Sequence, residues 1–149
     1  MSDYKRHQER NALLRSHAYR AACLAKGIAA EQGDLPAAKG LLRNACGLSL
    51  QAIAVCWTGS AHSSKSITQH AAALRENGII DRIGMQILQA IDENVDAVRW
   101  KLLLRTWMHL DELSTPTFQR ESRPIEWSGT RAREIASESA APTESEVQS

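Results

Sequence analysis

The sequence predicts a mainly α-helical protein, with a long helix at its N-terminus and a small β-hairpin after four helices. Three observations lead to this class. Apolar residues recur at steps of three and four between residues 9 and 76. Serine, aspartate or glycine stands where each helix should begin or end. Further along, apolar and basic residues alternate, which is typical of a half-buried strand.

The first helix is predicted to run from Glu9 to Glu31 and to present one apolar face. Gly33 ends it, because a glycine accepts the backbone conformation of a turn. We expect residues 1–34 to form a separate N-terminal helix that pairs two copies of the chain in a homodimer. The residues of its apolar face follow steps of four and three: Leu14, Ala18, Ala21, Ala25 and Ile28.

Two shorter helices are predicted next. Asp34 can cap the first of them, and Pro36 stands in its first turn, where the missing N–H costs nothing. Gly47 is expected to end this helix. Ser49 then caps a further helix over residues 50–57.

The fourth helix is predicted to begin at Ser63 and to bury Ile67, Ala71 and Leu74, which lie four and three residues apart. Asn77-Gly78 supplies the left-handed stop that commonly ends a helix. His70, beside this apolar face, is interpreted as a partly buried spacer. Three of the four tryptophans, Trp57, Trp100 and Trp107, are interpreted as core residues.

The segment after Gly78 favours a β-hairpin. Its first strand would hold three β-branched isoleucines, and the loop would lie at residues 92–94. In its second strand Val98, Trp100 and Leu102 alternate with Arg99 and Lys101. A competing interpretation makes Met85 to Met108 one long helix. Five of its apolar residues also fall at helical steps: Met85, Leu88, Ile91, Val95 and Val98.

Composition excludes several classes of protein. The chain has 149 residues, of which 43% are apolar and 23% charged, as in a soluble globular protein. It holds no apolar run long enough to cross a membrane and no N-terminal signal peptide, so we expect a cytoplasmic protein. The three cysteines form no Cys-x-x-Cys pair, and the histidines match no common zinc spacing. We therefore expect neither disulfides, nor a metal, nor a cofactor.

Charge is distributed unevenly along the chain, although the net charge is only +1. Residues 1–50 hold eight Lys/Arg against four Asp/Glu, whereas the stretch from residue 111 onward holds four against eight. A basic part followed by an acidic one is found in proteins that bind nucleic acid. Residues 114–149, rich in Ser, Thr, Pro and Glu, are predicted to be an acidic flexible tail.

The segment from Ser49 to Gly84 resembles the winged helix-turn-helix family of DNA-binding proteins. It contains a supporting helix that begins Ser-Leu-x-x-Ile-Ala, a turn, a second helix that begins Ser-x-Ser, and a close of Leu-x-x-x-Gly-Ile-Ile. The resemblance implies that residues 35–113 form a winged DNA-binding domain, with the helix Ser64–Glu76 in the major groove. The implied function is sequence-specific binding of double-stranded DNA in transcriptional regulation or replication control, without enzymatic activity.

The resemblance also implies the residues that would contact DNA. Gln69 would read a base, and Lys65 would reach a guanine or a phosphate. Residues of the wing and its return strand would bind phosphates and position the domain. The complete set of DNA-binding candidates is Ser64, Lys65, Thr68, Gln69, Arg82, Arg99 and Lys101.

Two alternatives from other classes stay open. The front half of the chain resembles the opening of a HEPN-type helical bundle, a family that includes ribonuclease toxins. Arg10 and His17 match that family's Arg, four to six residues, His motif, and would act as phosphate stabiliser and general acid or base. The other alternative is a helical interaction protein without nucleic acid. Motifs of other enzyme classes, such as a P-loop, are absent from the sequence.

Overall fold

The computed structural model describes residues 2–58 and 65–116, and these residues are almost entirely helical. They contain no β-strand, so mainly α is confirmed as the fold class. No helix among them is long and apolar enough to span a membrane. The helices are α1 (Ser2–Glu31), α2 (Leu35–Thr58), α3 (Ile67–Glu76), α4 (Arg82–Glu93), a 3-10 turn (Val95–Ala97) and α5 (Trp100–Ser114).

Helices α1 and α2 form a long hairpin whose interface is built from small residues. The predicted apolar face of α1 is confirmed, since Ala18 and Ala25 are fully buried, and α1 begins seven residues earlier than predicted. Gly33 makes the turn with a φ of +66°, and the Asp34 carboxylate accepts a hydrogen bond of 3.2 Å from the amide of Ala37. Alanines on both helices allow the two backbones to approach closely, and the apolar face of α1 is thereby used within the chain.

The predicted helix break at Gly47 is wrong, because α2 continues through it. A glycine in a helix interior costs about 1 kcal/mol relative to alanine, an amount that packing can offset. A Cβ at Gly47 would lie 3.8 Å from Cγ1 of Ile67. The glycine therefore marks the point where α3 packs against α2. Ser49, the predicted N-cap, lies fully buried within α2.

The turn between α3 and α4 agrees with the sequence prediction. Gly78 adopts a φ of +72°, and the amide of Ile79 donates a 2.8 Å hydrogen bond to the carbonyl of Leu74. The start of α3 differs from the prediction, since its N-cap is Ser66. The Ser66 hydroxyl accepts from the amide of Gln69 at 3.1 Å, and Oε1 of Gln69 accepts from the amide of Ser66 at 2.8 Å. This is a complete capping box.

The predicted β-hairpin wing is wrong. Its first strand is replaced by α4, which Asp81 caps by accepting a 2.9 Å hydrogen bond from the amide of Gly84. Its second strand is replaced by the 3-10 turn and α5. Leu102 and Leu103 are both buried, which a strand with one buried face would not allow, because successive side chains point to opposite faces. Since no wing exists in residues 65–116, no winged helix forms there.

The wing was predicted because a short apolar run can match both the two-residue period of a strand and the 3.6-residue period of a helix. Residues 98–102 alternate, but the residues that α5 buries are also spaced as in a helix: Trp100, Leu103, Trp107 and Leu110. The competing single helix from Met85 to Met108 is interrupted at Asn94, which ends α4. That alternative was therefore correct in placing helical structure on both sides of Asn94, and wrong in making it one continuous helix.

Helix α5 lies beside α2 and α1 and runs parallel to α2. At one end Nζ of the buried Lys39 donates to the carbonyl of Asp96 at 3.1 Å. At the other end the Asn11 side chain, 2% exposed, donates to the carbonyls of Ala52 at 2.9 Å and Ser114 at 3.0 Å. Asn11 thus joins α1, α2 and α5. One apolar core runs through all five helices.

Candidate nucleic-acid interface

A polar groove lies between the middle of α2 and the beginning of α3. Its volume is about 350 Å³. The apolar floor is formed where Ile67 approaches Gly47, and the walls carry donors and acceptors from both helices. The polar side chains that line the groove are Arg43, Asn44, Gln51, Lys65 and Ser66.

The beginning of α3 is held by the end of α4. Oδ2 of Asp92 accepts hydrogen bonds from the amide and the hydroxyl of Thr68, at 3.0 and 2.6 Å. Oδ1 of Asp92 accepts from Nη2 of Arg43 at 2.5 Å, and the same nitrogen donates to the Asp92 carbonyl at 3.2 Å. Burial raises the pKa of Asp92, but the hydrogen bonds from Thr68 and the charge of Arg43 outweigh it, so the pKa lies below its usual value.

Of the predicted DNA-binding residues, Lys65 lines this groove, and Thr68 and Gln69 follow in the first turn of α3. Lys65 is exposed directly before α3, and Gln69 is exposed on the first turn, with its oxygen engaged in the capping box. Thr68 is half-buried, and its hydroxyl is directed to Asp92 and away from solvent. Ser64 lies outside the described residues.

The other three predicted residues lie on different elements. Arg82 is exposed at the first position of α4, about 15 Å along the helix from Asp92. Arg99 is the N-cap residue of α5, and its Nε is buried without a hydrogen-bond partner among the described residues. Lys101 is exposed in the first turn of α5. These residues were predicted to lie in a wing and on its return strand, and that prediction is wrong. Each of them lies at the N-terminal end of a helix.

The contribution of α2 to the groove was not predicted from the sequence. Arg43, Gly47 and Gln51 lie four residues apart and share one face of a helix, but only if α2 continues through the glycine. Asp92 was missed because residues 92–94 were assigned to a hairpin loop. A continuous helical period across residues 43–51 was the one local signal that could have found these residues.

The two residues of the ribonuclease motif lie on the outer surface of α1. Arg10 and His17 are both exposed, and seven residues place them on the same face, about 10.5 Å apart along the axis. Neither lines the groove at α3.

The described residues contain no cluster of three or more His, Cys, Asp or Glu side chains that could hold a metal ion. His70 is 3% exposed on the inner face of α3, and is therefore more deeply buried than the partly buried spacer predicted from the sequence. Cys23 and Cys56 are exposed thiols, whereas Cys46 is buried.

Comparison with known proteins identified no relative of this chain. No family model, curated protein or solved structure matches the chain.

Proposed function

We propose that this chain binds double-stranded DNA and that the beginning of α3 enters the major groove. The observation that carries the proposal is the groove itself, where Lys65 lies beside Asn44 and Gln51 of α2. Gln69 is exposed on the adjoining first turn of α3. Amide and ammonium groups at the N-terminus of a helix are the groups that contact base edges and phosphates in helix-turn-helix proteins. Transcriptional regulation or replication control is the process we propose for it.

Each polar residue has a distinct part in this proposal. Gln69 donates from Nε2 to a base acceptor while its Oε1 keeps the cap at Ser66. Lys65 binds a phosphate or a guanine, because its ammonium is exposed at the rim of the groove. The charge of Arg43 is compensated by Asp92, so we assign Arg43 to positioning α3 and not to binding phosphate.

The proposed binding of DNA does not require a wing. Lys65 and Gln69 provide few contacts, and most of the affinity of a DNA-binding protein comes from phosphates. Further basic residues on the helices must therefore take part. A homodimer also remains part of the proposal, but a surface other than the apolar face of α1 has to form it, because that face is buried against α2.

The test is a fluorescence-anisotropy titration with mixed-sequence duplex DNA and single-stranded RNA at two salt concentrations, followed by selection of a preferred duplex. We expect salt-sensitive duplex binding. Gln69→Ala should lose the preference for the selected duplex and keep non-specific binding. Lys65→Ala should weaken binding to every duplex and reduce the salt slope by about 1.

Matched controls are available outside the groove. Gln86→Ala removes an exposed glutamine from α4, and Lys26→Ala removes an exposed lysine from α1. Neither should change sequence preference. Absence of salt-sensitive duplex binding would contradict the proposal. Cleavage of the RNA that disappears in His17→Ala would instead support the ribonuclease alternative.

A further inference from the structure

The outer surface of α1 carries a continuous line of six exposed residues. They are spaced by four, three, four, three and four positions, so they lie on one face over about 27 Å of helix. We call this face the α1 stripe. It consists of Arg6, Arg10, Leu13, His17, Arg20 and Leu24, all of them exposed.

The stripe lies away from the rest of the bundle. Ala18 and Ala25 define the side of α1 that faces α2. Arg15, whose Nε donates to the Ser114 hydroxyl at 3.2 Å, and Tyr19, whose ring centroid lies 6.5 Å from that of Trp107, define the side that faces α5. At 100° per residue the stripe falls on the remaining side.

The charge of this face indicates the chemistry of its partner. The stripe contains three arginines and a histidine, whereas the whole of α1 holds only three acidic residues, Asp3, Glu9 and Glu31. A polyanion is therefore the partner with complementary charge.

The spacing of the stripe also suits helix pairing, but its charge argues against a second copy of α1. A parallel copy would place each arginine of the stripe against itself. An antiparallel copy centred on residue 15 would place Arg10 against Arg20. Like charges in contact destabilise a pair in either of these registers, so the full length of the stripe is not suited to pairing with itself.

We propose that the α1 stripe is a second DNA-contacting surface, which binds the phosphate backbone of a duplex. The inference rests on the DNA-binding function proposed above and deepens it by assigning phosphate contacts beyond the one available to Lys65. Each guanidinium presents a planar fork of donors that matches two phosphate oxygens. Leu13 and Leu24, each 57% exposed, lie between and beyond the arginines, where they can contact the apolar edges of deoxyribose.

The experiment measures how the affinity of the full chain for a non-specific duplex depends on salt. The test variant is Arg6→Gln/Arg10→Gln/Arg20→Gln. Its matched control, Lys5→Gln/Lys26→Gln/Arg75→Gln, removes three exposed positive charges outside the stripe. Circular dichroism confirms that both variants remain helical. We expect the slope of log K against log salt to fall by about 2 to 3 in the test variant, and by less than about 1 in the control.

The outcomes separate this inference from the function it rests on. Equal losses in both triple variants would overturn the stripe, because net charge alone would then explain binding. A wild-type slope in the test variant, with the effect of Lys65→Ala retained, would overturn the stripe and leave the function of α3 intact. Loss of binding in the test variant with no effect of Lys65→Ala or Gln69→Ala would support the stripe and overturn the role of α3. Binding of polyglutamate as tightly as duplex would overturn DNA as its ligand.

Discussion

Asp92, in the last turn of α4, accepts two hydrogen bonds from Thr68 in the first turn of α3, one from its amide and one from its hydroxyl. The carboxylate therefore sits at the N-terminal end of α3, where the amides of the first turn have no partner within the helix. A negative charge is also favoured there by the helix dipole. Arg43 of α2 completes the contact, so this one side chain fixes α3 relative to two other helices.

Acid should weaken this contact. The pKa of Asp92 is lower in the folded chain than its usual value of about 3.9. The ionised Asp92 carboxylate therefore contributes its full stabilisation at pH values above its usual pKa, and this stabilisation is lost as the pH falls through the folded pKa. We expect Asp92→Asn to be less stable than wild type at pH 7 and to lose less stability between pH 5 and pH 2, as measured by urea unfolding at each pH.

Glu76→Gln is the control for this experiment, because Glu76 is an exposed carboxylate on α3. It should keep the stability of the wild type at pH 7. An unchanged difference between wild type and Asp92→Asn from pH 7 to pH 2 would show that the Asp92 contact does not depend on ionisation.

Asn11 should be one of the most sensitive polar positions in the bundle. Its side-chain amide donates to carbonyls of α2 and α5 in a buried site. Asn11→Ala removes these two hydrogen bonds and a third, of 3.1 Å, that the same nitrogen donates to Sγ of Cys56. We expect a loss of about 1 to 3 kcal/mol in the free energy of unfolding. Asn11→Asp should cost more, since a carboxylate would face two carbonyl oxygens. Ser16→Ala, at an exposed position of α1, should change the unfolding midpoint little.

Two glycine-to-alanine substitutions should have opposite effects. Gly78 has a φ of +72°, a conformation that costs an alanine about 1 kcal/mol, so Gly78→Ala should lower the melting temperature. Gly40 lies inside α2, where an added Cβ would meet no atom within 4 Å, so Gly40→Ala should raise stability by about 0.4 to 1 kcal/mol. Thermal unfolding of the two variants side by side measures both. A decrease for Gly40→Ala would mean that α2 is more crowded there than the structure indicates.

The three cysteines should differ in reactivity. Burial raises the pKa of Cys46 to about 12, more than the nearby charge of Arg43 lowers it, so its thiolate is scarce at neutral pH. Cys23 and Cys56 are exposed. Titration with a disulfide reagent at pH 8 should modify two thiols quickly, and the third only as fast as the chain unfolds. Cys23→Ser should leave one fast thiol, and two fast thiols in that variant would contradict the burial of Cys46.

Local sequence signals correctly predicted those parts of the fold that depend on interactions between residues close in sequence. The inner face of α1 follows from its apolar spacing, and the end of α3 follows from the backbone freedom of Gly78. Gly47 has the same local preference to end a helix, but α3 packs against it and α2 continues. Tertiary packing therefore determines that α2 continues through Gly47, and the helix propensity of a single residue does not include such packing.

The candidate interface was only partly predictable for the same reason. Lys65 and Gln69 could be found because they are close in sequence, one just before α3 and the other in its first turn. The contact of Arg43 with Asp92 joins residues 49 positions apart, and no local spacing marks it. The wing was predicted from five residues that alternate in polarity, a length too short to distinguish a strand from a buried helix.

The parallel arrangement of α2 and α5 has a consequence for the kinetics of folding. The hairpin of α1 with α2 and the pair of α3 with α4 each form from neighbouring segments, whereas the contact of Asn11 with Ser114 spans 103 positions. Closing so large a loop removes more chain entropy than forming either helix pair, and contacts of high sequence separation slow folding. Docking of α5 is therefore expected to be the last and slowest step, so the chain should fold more slowly than an up-and-down helical bundle of similar size.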